Sequence, residues 1–204
     1  MAPSTTTSLS RSDRIGMYLT VAICVIAAVF LSWSVIQRVA EVAPGTDIPV
    51  LVPFMDETAP LPIGPDGAPV EVEVDQAVVT VSDPAPATFF ALIAEPVVVG
   101  LTTLGGILLL CLFCINLARG RAFSSSTVRI VFTATGVLLV GWVLGSLFRT
   151  MGVNGTLAAV SDRSYEGVLF ETDFGPLFGI LALGAVGAAF QIGHRLQRET
   201  EGLV

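Results

Sequence analysis

Four long apolar stretches, each with a core free of charged residues, constrain this chain more than any other feature. A helix needs about 20 residues to cross the roughly 30 Å hydrocarbon layer of a bilayer, and each stretch is long enough. We predict transmembrane helices over residues 14–36, 96–118, 130–149 and 174–193. With 53% apolar residues and a mean hydropathy of +0.81, the chain is too apolar for an ordinary soluble domain. The expected fold class is therefore an all-α membrane protein with four transmembrane helices.

The basic residues, all ten of them arginine, predict the orientation of these helices. Seven arginines lie in or beside the two tails and the second connection, together with three acidic residues, whereas the other two connections hold three arginines and fourteen acidic residues. Arginine and lysine accumulate in short cytoplasmic loops. We therefore expect both termini in the cytoplasm and an acidic outer side, and we expect a bilayer rather than nucleic acid as the partner.

The parts of the chain between the predicted helices differ in character. Residues 1–13 are rich in serine and threonine, and we expect a disordered cytoplasmic tail. The first apolar run exceeds the about 7–15 residues of a signal-peptide core, which predicts an uncleaved anchor. Residues 119–129 should form a cytoplasmic loop, 150–173 an outer loop with a turn at Asn154-Gly155, and 194–204 a cytoplasmic tail continuing the fourth helix.

The segment 37–95 is the only sizeable part outside the predicted helices, and its pattern is that of β-structure. Residues 70–75 alternate strictly between valine and acidic residues, the period of a half-buried strand. Residues 48–54 resemble an edge strand, since prolines interrupt them, and Pro65-Asp66-Gly67 is a turn signal. The alternation breaks at Gln76-Ala77, which predicts a bulge or a tight reversal there. We expect a small extracytoplasmic β-element of two or three strands between the first and second helices.

Small residues four apart in the predicted helices indicate close helix packing. Gly141 with Gly145, Gly175 with Gly179, and Gly184 with Ala188 have this spacing, as do Cys24, Ala28 and Ser32. Such residues form a groove that lets helix backbones approach closely in a bilayer. The motif is compatible with packing among the four helices and with a groove that faces a separate partner.

Two cysteines and the only histidine could carry chemistry. Cys111 and Cys114 lie three apart and share a helix face, and His194 directly follows the fourth predicted helix, so a redox pair or part of a metal site is conceivable. Metal sites usually show four ligands, however, and free cysteine is common in apolar cores. We favour ordinary packing cysteines and an interfacial histidine, and we expect no cofactor. For the acidic face of Glu71, Glu73 and Asp75, a solvated surface is favoured over a calcium site, because the spacing of a calcium-binding loop is absent.

Two junctions resemble a known bacterial membrane family. Arg119-Gly120-Arg121-Ala122-Phe123 follows the second predicted helix, and the end of the chain, residues 193–204, reads GHRLQRETEGLV. Both resemble motifs of the domain of unknown function 2975 family, whose members are small four-helix membrane proteins of the bacterial inner membrane. The resemblance implies no established activity. Such proteins are often associated with small helix-turn-helix regulators, which hints at a regulatory role.

Functional expectations follow mainly from what the pattern lacks. The predicted helices have no charged residue near the membrane middle, where proton and ion pathways place theirs, and no nucleophile–histidine set is evident. We therefore expect a non-enzymatic regulatory, sensory or accessory subunit, with a small transport or export component as the alternative and a cysteine-based redox or metal protein as the third hypothesis. The end of the chain, with Glu199, Glu201, Leu203 and Val204, is a possible interaction tail for a membrane or cytoplasmic protein partner.

Overall fold

The computed structural model describes residues 11–54, 57–121, 124–164 and 172–201. Within these ranges, four helices are long and apolar enough to cross a membrane, which confirms the predicted helical class at that level. The helices are α1 (Arg11–Val42), α2 (Pro86–Ala118), α3 (Ser125–Val160) and α4 (Gly175–Glu201). Four short strands lie between α1 and α2, and they are β1 (Ile48–Pro53), β2 (Thr58–Leu61), β3 (Val70–Glu73) and β4 (Gln76–Val81).

The helices extend well beyond the predicted apolar stretches. Pro86 occupies the first position of α2, where proline is tolerated, and Pro96, which was predicted to start the helix, lies inside it. The predicted turn at Asn154-Gly155 was wrong, because α3 continues through it to Val160. The Asn154 side chain donates its amide hydrogen to the Thr150 carbonyl oxygen at 2.8 Å, so its polar group is satisfied along the helix itself. Much of the predicted loop 150–173 is therefore helical.

Local capping explains where three of the helix ends fall. Ser124 Oγ accepts the backbone N–H of Thr127 at 3.2 Å and caps the start of α3. Asp173 Oδ1 accepts the N–H of Gly175 at 2.8 Å at the start of α4. At the end of α2, Gly120 has φ +73°, and the N–H groups of Gly120 and Arg121 bond back to Leu117 and Asn116. This pair of bonds is the Schellman arrangement, which favours glycine because of its positive φ.

The strands form one long β-hairpin with a break in its ladder. β1 pairs antiparallel with β4 from Ile48↔Val81 to Pro53↔Gln76. β2 pairs antiparallel with β3 from Thr58↔Glu73 to Leu61↔Val70. Four residues (54–57) separate the ladders on the first arm, but only two (74–75) on the second. The irregularity predicted at Gln76-Ala77 was therefore placed on the wrong arm. The described residues form four strands in two two-stranded sheets, where two or three strands were predicted.

The turn that closes the hairpin follows the sequence signal. Pro65–Gly67 forms a short 3₁₀ turn in which Asp66 has φ 58° and Gly67 has φ +78°. Aspartate and glycine are among the residues that adopt this left-handed conformation most readily. The sequence Pro-Asp-Gly therefore supplies both the preset proline φ and the two positive φ values that the turn needs.

The chain divides into two compact units. The first consists of Met1–Gln37, Val97–Leu144 and Asp173–Val204, and the second of Arg38–Pro96 and Gly145–Thr172. The second unit contains the hairpin and has an apolar core built from the end of α1, the strands β1 and β4, α2 and α3. Its buried residues are Val42, Ile48, Val50, Val52, Val81, Leu92, Val153 and Leu157. The hairpin is thus held against helical segments, as a marginal two-stranded element requires.

In the first unit, α1 contacts its neighbours through a narrow seam. Most of the less exposed residues of α1 there recur at alternating steps of four and three, namely Met17, Val21, Cys24, Ala28, Leu31 and Val35, and Ser32 lies next to Leu31. This spacing gives a single stripe along a helix. At one point of the seam, a Cβ on Gly100 of α2 would lie 2.5 Å from Val35 Cγ2. The absence of a side chain at Gly100 therefore permits the close approach of α1 to α2.

Candidate functional site

A cluster of charged side chains lies in the second unit. Glu95 is the only charged residue of α2, and its carboxylate Oε1 lies 3.7 Å from Nη1 of Arg149 on α3. The two side chains are about one-third exposed, at 28% and 36%. Arg38 of α1 lies near enough to contribute to the electrostatics of Glu95. The helices α1, α2 and α3 therefore contribute one charged residue each. We call these residues, Arg38, Glu95 and Arg149, the charge cluster.

Arg38 also holds the first strand of the hairpin. Its Nη1 pairs with Glu41 Oε2 at 2.6 Å, and its Nη2 donates to the Pro49 carbonyl oxygen at 2.9 Å. The planar guanidinium can make both bonds at once because its N–H donors are fixed in a fork. Arg38 therefore joins the end of α1 to β1 in addition to its electrostatic effect on Glu95.

Burial dominates the electrostatics of Glu95, which directly precedes the predicted transmembrane stretch starting at residue 96. Desolvation raises the pKa of this carboxyl group above its ordinary value of 4.5, and the nearby Arg149 and Arg38 lower it only in part. Burial at this position therefore disfavours the charged form of the carboxyl group. The cluster thus consists of one carboxyl group that interacts with two guanidinium groups.

The sequence pattern did not single out these residues, although a signal was present. Arg38 and Arg149 are two of the three arginines that run against the predicted bias of basic residues toward the cytoplasm. In the structure each has an acidic partner, Glu41 and Glu95 respectively. Arginines on the predicted outer side, near the ends of the predicted helices, therefore indicate an ion-pair cluster.

The three cysteines of the chain converge in the first unit. Cys24 and Cys114 are buried and Cys111 is half-buried, and all three are free thiols. The Cys111 thiol is within hydrogen-bonding reach of the Cys24 thiol on α1. The sequence pattern pairs Cys111 with Cys114 and indicates only a packing role for Cys24. No group of three His, Cys, Asp or Glu side chains among the described residues could hold a metal ion, so the conceived set of Cys111, Cys114 and His194 is not assembled.

The predicted packing glycines fall into two groups. Gly141 lies against Thr102, and Gly145 is buried. A Cβ added to Gly184 would lie 3.5 Å from Thr135 Cγ2. In contrast, a Cβ on Gly179 would meet no atom within 4 Å, and Gly175 faces only the capping carboxylate of Asp173. The packing role predicted for Gly175 and Gly179 is therefore corrected, because this face of α4 meets no other helix in the described parts of the chain.

Other glycines make close contacts that the four-residue spacing did not reveal. In the second unit, Gly152 and Gly155 on α3 lie against Leu92 and Thr88 of α2. In the first unit, Gly187 on α4 lies against Val131 of α3. Each of these glycines is separated from another glycine by three residue positions rather than by four (Gly152 and Gly155, Gly184 and Gly187). A search restricted to four-residue spacing does not find them.

The predicted interaction tail is only partly within the described residues. α4 continues to Glu201, as the prediction of a helical continuation requires. Arg195 Nε pairs with Glu199 Oε1 at 3.1 Å on an exposed helix face, and His194 is partly buried. Leu203 and Val204 lie outside the described residues, so the binding role of the tail stays a prediction.

The outward face of the hairpin combines exposed apolar and acidic side chains. Ile48, Val50 and Val52 of β1 point into the core, so the alternate residue Leu51 points outward. Leu51 pairs with Val78 of β4, and the two are 44% and 64% exposed. Residues 44–85 contain eight acidic residues and no basic residue. We call Leu51 and Val78, together with the exposed Glu71 and Glu73 of β3, the outer hairpin face.

Comparisons of the chain with protein-family models, curated proteins and solved structures found no match.

Proposed function

We propose that the protein is a multi-pass, non-enzymatic regulatory or accessory protein of the bacterial cytoplasmic membrane, with both termini in the cytoplasm. In this proposal, the hairpin lies outside the cytoplasm and binds another protein through its outer face. Membership of the domain of unknown function 2975 family is part of the proposal. It is supported by the junction at Arg119-Gly120-Arg121, where the positive φ of Gly120 explains why the motif has a glycine.

The way in which the hairpin is held supports a binding role. Its inward residues join the apolar core of the second unit, and Arg38 bonds to the carbonyl oxygen of Pro49 on β1. A surface that is fixed before binding loses less conformational entropy when a partner arrives. The hairpin is therefore suited to present a defined surface rather than to act as a flexible connection.

The observation that carries the proposal is the exposed cross-strand pair of Leu51 and Val78 in acidic surroundings. Exposed apolar side chains that adjoin one another, unlike those that lie singly, mark interaction sites on protein surfaces. The eight acidic residues of 44–85 would repel an anionic lipid surface, since such surfaces attract basic segments instead. The partner that fits is a protein whose contact surface combines an apolar centre with basic residues.

Site-specific photo-cross-linking in intact cells tests this proposal. A photoreactive amino acid at Leu51 or Val78 should give a protein adduct of defined mass, whereas the same group at Asp66, in the turn of the hairpin, should give much less. Reversal of charge at Glu71 and Glu73 should weaken the adduct, because basic residues on the partner lose their counterparts. Adducts with lipid only, or equal adducts at all three positions, would contradict a binding role for the outer hairpin face.

A further inference from the structure

We propose that Cys24 of α1 and Cys111 of α2 form a redox-active pair that closes a disulfide between the two helices. The pair lies entirely in the first unit, and the inference does not depend on the proposed role of the hairpin. It differs from the pairing within α2 that the sequence suggested, because the second thiol comes from another helix.

The antiparallel arrangement of α1 and α2 places the two cysteines at the same level. Val35 of α1 lies directly against Gly100 of α2. Cys24 precedes Val35 by eleven residues, and Cys111 follows Gly100 by eleven residues. Since both helices rise about 1.5 Å per residue, each cysteine lies roughly 16 Å from that contact in the same direction. The hydrogen-bonding reach between the two thiols agrees with this register.

Burial and position select Cys111 rather than Cys114 as the partner of Cys24. Cys24 is a member of the α1 seam, so its side chain is directed toward neighbouring helices rather than outward. Cys111 is half-buried and lies in the wall of an apolar groove between α1 and α2, together with Ala28 and Leu108. Cys114 is almost fully buried, with 5% of its surface exposed. An oxidant arriving at the helix surface therefore reaches Cys111 first, with Cys24 directly behind it.

The reaction is a two-electron oxidation that needs an acceptor soluble in the bilayer. Two S–H bonds break and one S–S bond forms, and the two electrons and two protons pass to a lipid-soluble quinone, which becomes the hydroquinone. The apolar residues around Cys111, among them Leu104 and Leu108, disfavour a charged or water-borne oxidant. Reduction by an external dithiol restores both thiols.

Closure of this disulfide would fix the position of α1. Among the described residues of the first unit, α1 contacts its neighbours through the narrow seam, and most of its remaining surface is exposed. A covalent link at Cys24 would tie that seam to α2 and restrict separation of the two helices. The redox state of the pair would thereby decide how freely α1 can move or exchange partners.

The experiment treats membranes that contain the full chain with a fully substituted decyl-benzoquinone, whose ring has no free position for thiol addition, then denatures the protein and blocks free thiols with a maleimide. We expect the number of maleimide-reactive cysteines to fall from three to one, and peptide mass spectrometry to identify a Cys24–Cys111 link. Cys114→Ser should retain this link, whereas Cys24→Ser and Cys111→Ser should each lose it. Serine is close to cysteine in size, and the unoxidised thermal transition of each variant serves as the check on folding.

Any of the following three outcomes would overturn the proposal. A link between Cys111 and Cys114, or between Cys24 and Cys114, would show that the wrong pair was assigned. Three reactive thiols after treatment with both the quinone and copper–phenanthroline would show that the thiols do not pair at all. A Cys24–Cys111 link that forms with copper–phenanthroline but not with the quinone would refute the assigned class of oxidant.

Discussion

Gly141 of α3 lies so close to Thr102 of α2 that a Cβ on Gly141 would be 2.5 Å from the Thr102 Cβ atom. Real Cβ atoms do not approach other heavy atoms this closely, so only glycine permits this helix spacing. In a bilayer, helix association depends on such close packing because burial of apolar surface gives no net driving force there. The contact therefore identifies Gly141 as a position that determines the separation of α2 and α3.

The first prediction is that Gly141→Ala destabilises the first unit. Overpacking of this kind costs about 1–3 kcal/mol, which exceeds the about 1 kcal/mol that alanine gains over glycine in helix propensity. Gly136→Ala on the same helix is the matched control, since a Cβ there meets no atom within 4 Å. Thermal unfolding in a mild detergent should show a lower midpoint for Gly141→Ala and an unchanged or higher one for Gly136→Ala. Equal midpoints would mean that the contact with Thr102 relaxes at no cost.

The helical part of the fold was predictable because hydropathy alone determines it, whereas the helix ends were not. Residues that follow an apolar stretch, such as Asn154 and Gly155, look like a loop in sequence, but Gly155 packs against Thr88 and Asn154 bonds along its own helix. A glycine that permits close packing and a glycine that permits a turn have the same sequence signature. Tertiary contacts decide between these two roles.

The hairpin illustrates the same limit for strands. The alternation in β3 and the Pro65–Gly67 turn were visible locally, because both depend on short-range preferences. The placement of the two extra residues on the arm 54–57 depends on pairing between segments far apart in sequence. For the charge cluster and for the pairing of Cys24 with Cys111, the missing information was likewise which helices lie side by side.

The second prediction concerns the core of the second unit. Ile48 of β1 is fully buried in the core between the hairpin and the helices, so Ile48→Ala should cost about 2–5 kcal/mol and release the hairpin from its helical support. Val78→Ala removes an exposed side chain of the same sheet and should cost less than about 0.5 kcal/mol. Hydrogen exchange of the β1 and β4 amides reports this difference directly. Similar exchange rates in the two variants would show that the hairpin is stable without the core.

The third prediction is that Glu95 makes stability depend on pH. Because its pKa in the folded protein is raised above 4.5, the folded state binds the proton more tightly than the unfolded state. The stability contributed by the protonated form is complete below about pH 4.5, and it is lost as the pH rises through the higher folded pKa. Glu95→Gln lacks this titration, so its thermal midpoint relative to the native protein should rise across the same range.

Arg149→Gln serves as the companion variant to Glu95→Gln. Arg149 lowers the pKa of Glu95, so its removal should raise that pKa further and extend the loss of stability to higher pH. Thermal midpoints measured from pH 4 to pH 8 in a neutral detergent compare the three proteins. A Glu95→Gln variant whose midpoint differs from that of the native protein by a constant amount at every pH would rule out Glu95 as the titrating group.

The last prediction concerns orientation, which rests on the distribution of arginine between the connections. The connection between α2 and α3 carries Arg119, Arg121 and, in the first turns of α3, Arg129, whereas residues 44–85 have eight acidic residues and no basic one. In a variant with serine at the three native cysteines, Ala68→Cys should react with a membrane-impermeant maleimide in intact cells. Ser125→Cys should react only after the membrane is opened. Both positions are exposed, and Ala68 has an ordinary φ of −60°, unlike Asp66, so a cysteine there introduces no backbone strain. Labelling of Ser125→Cys but not of Ala68→Cys in intact cells would invert the topology and place the outer hairpin face in the cytoplasm.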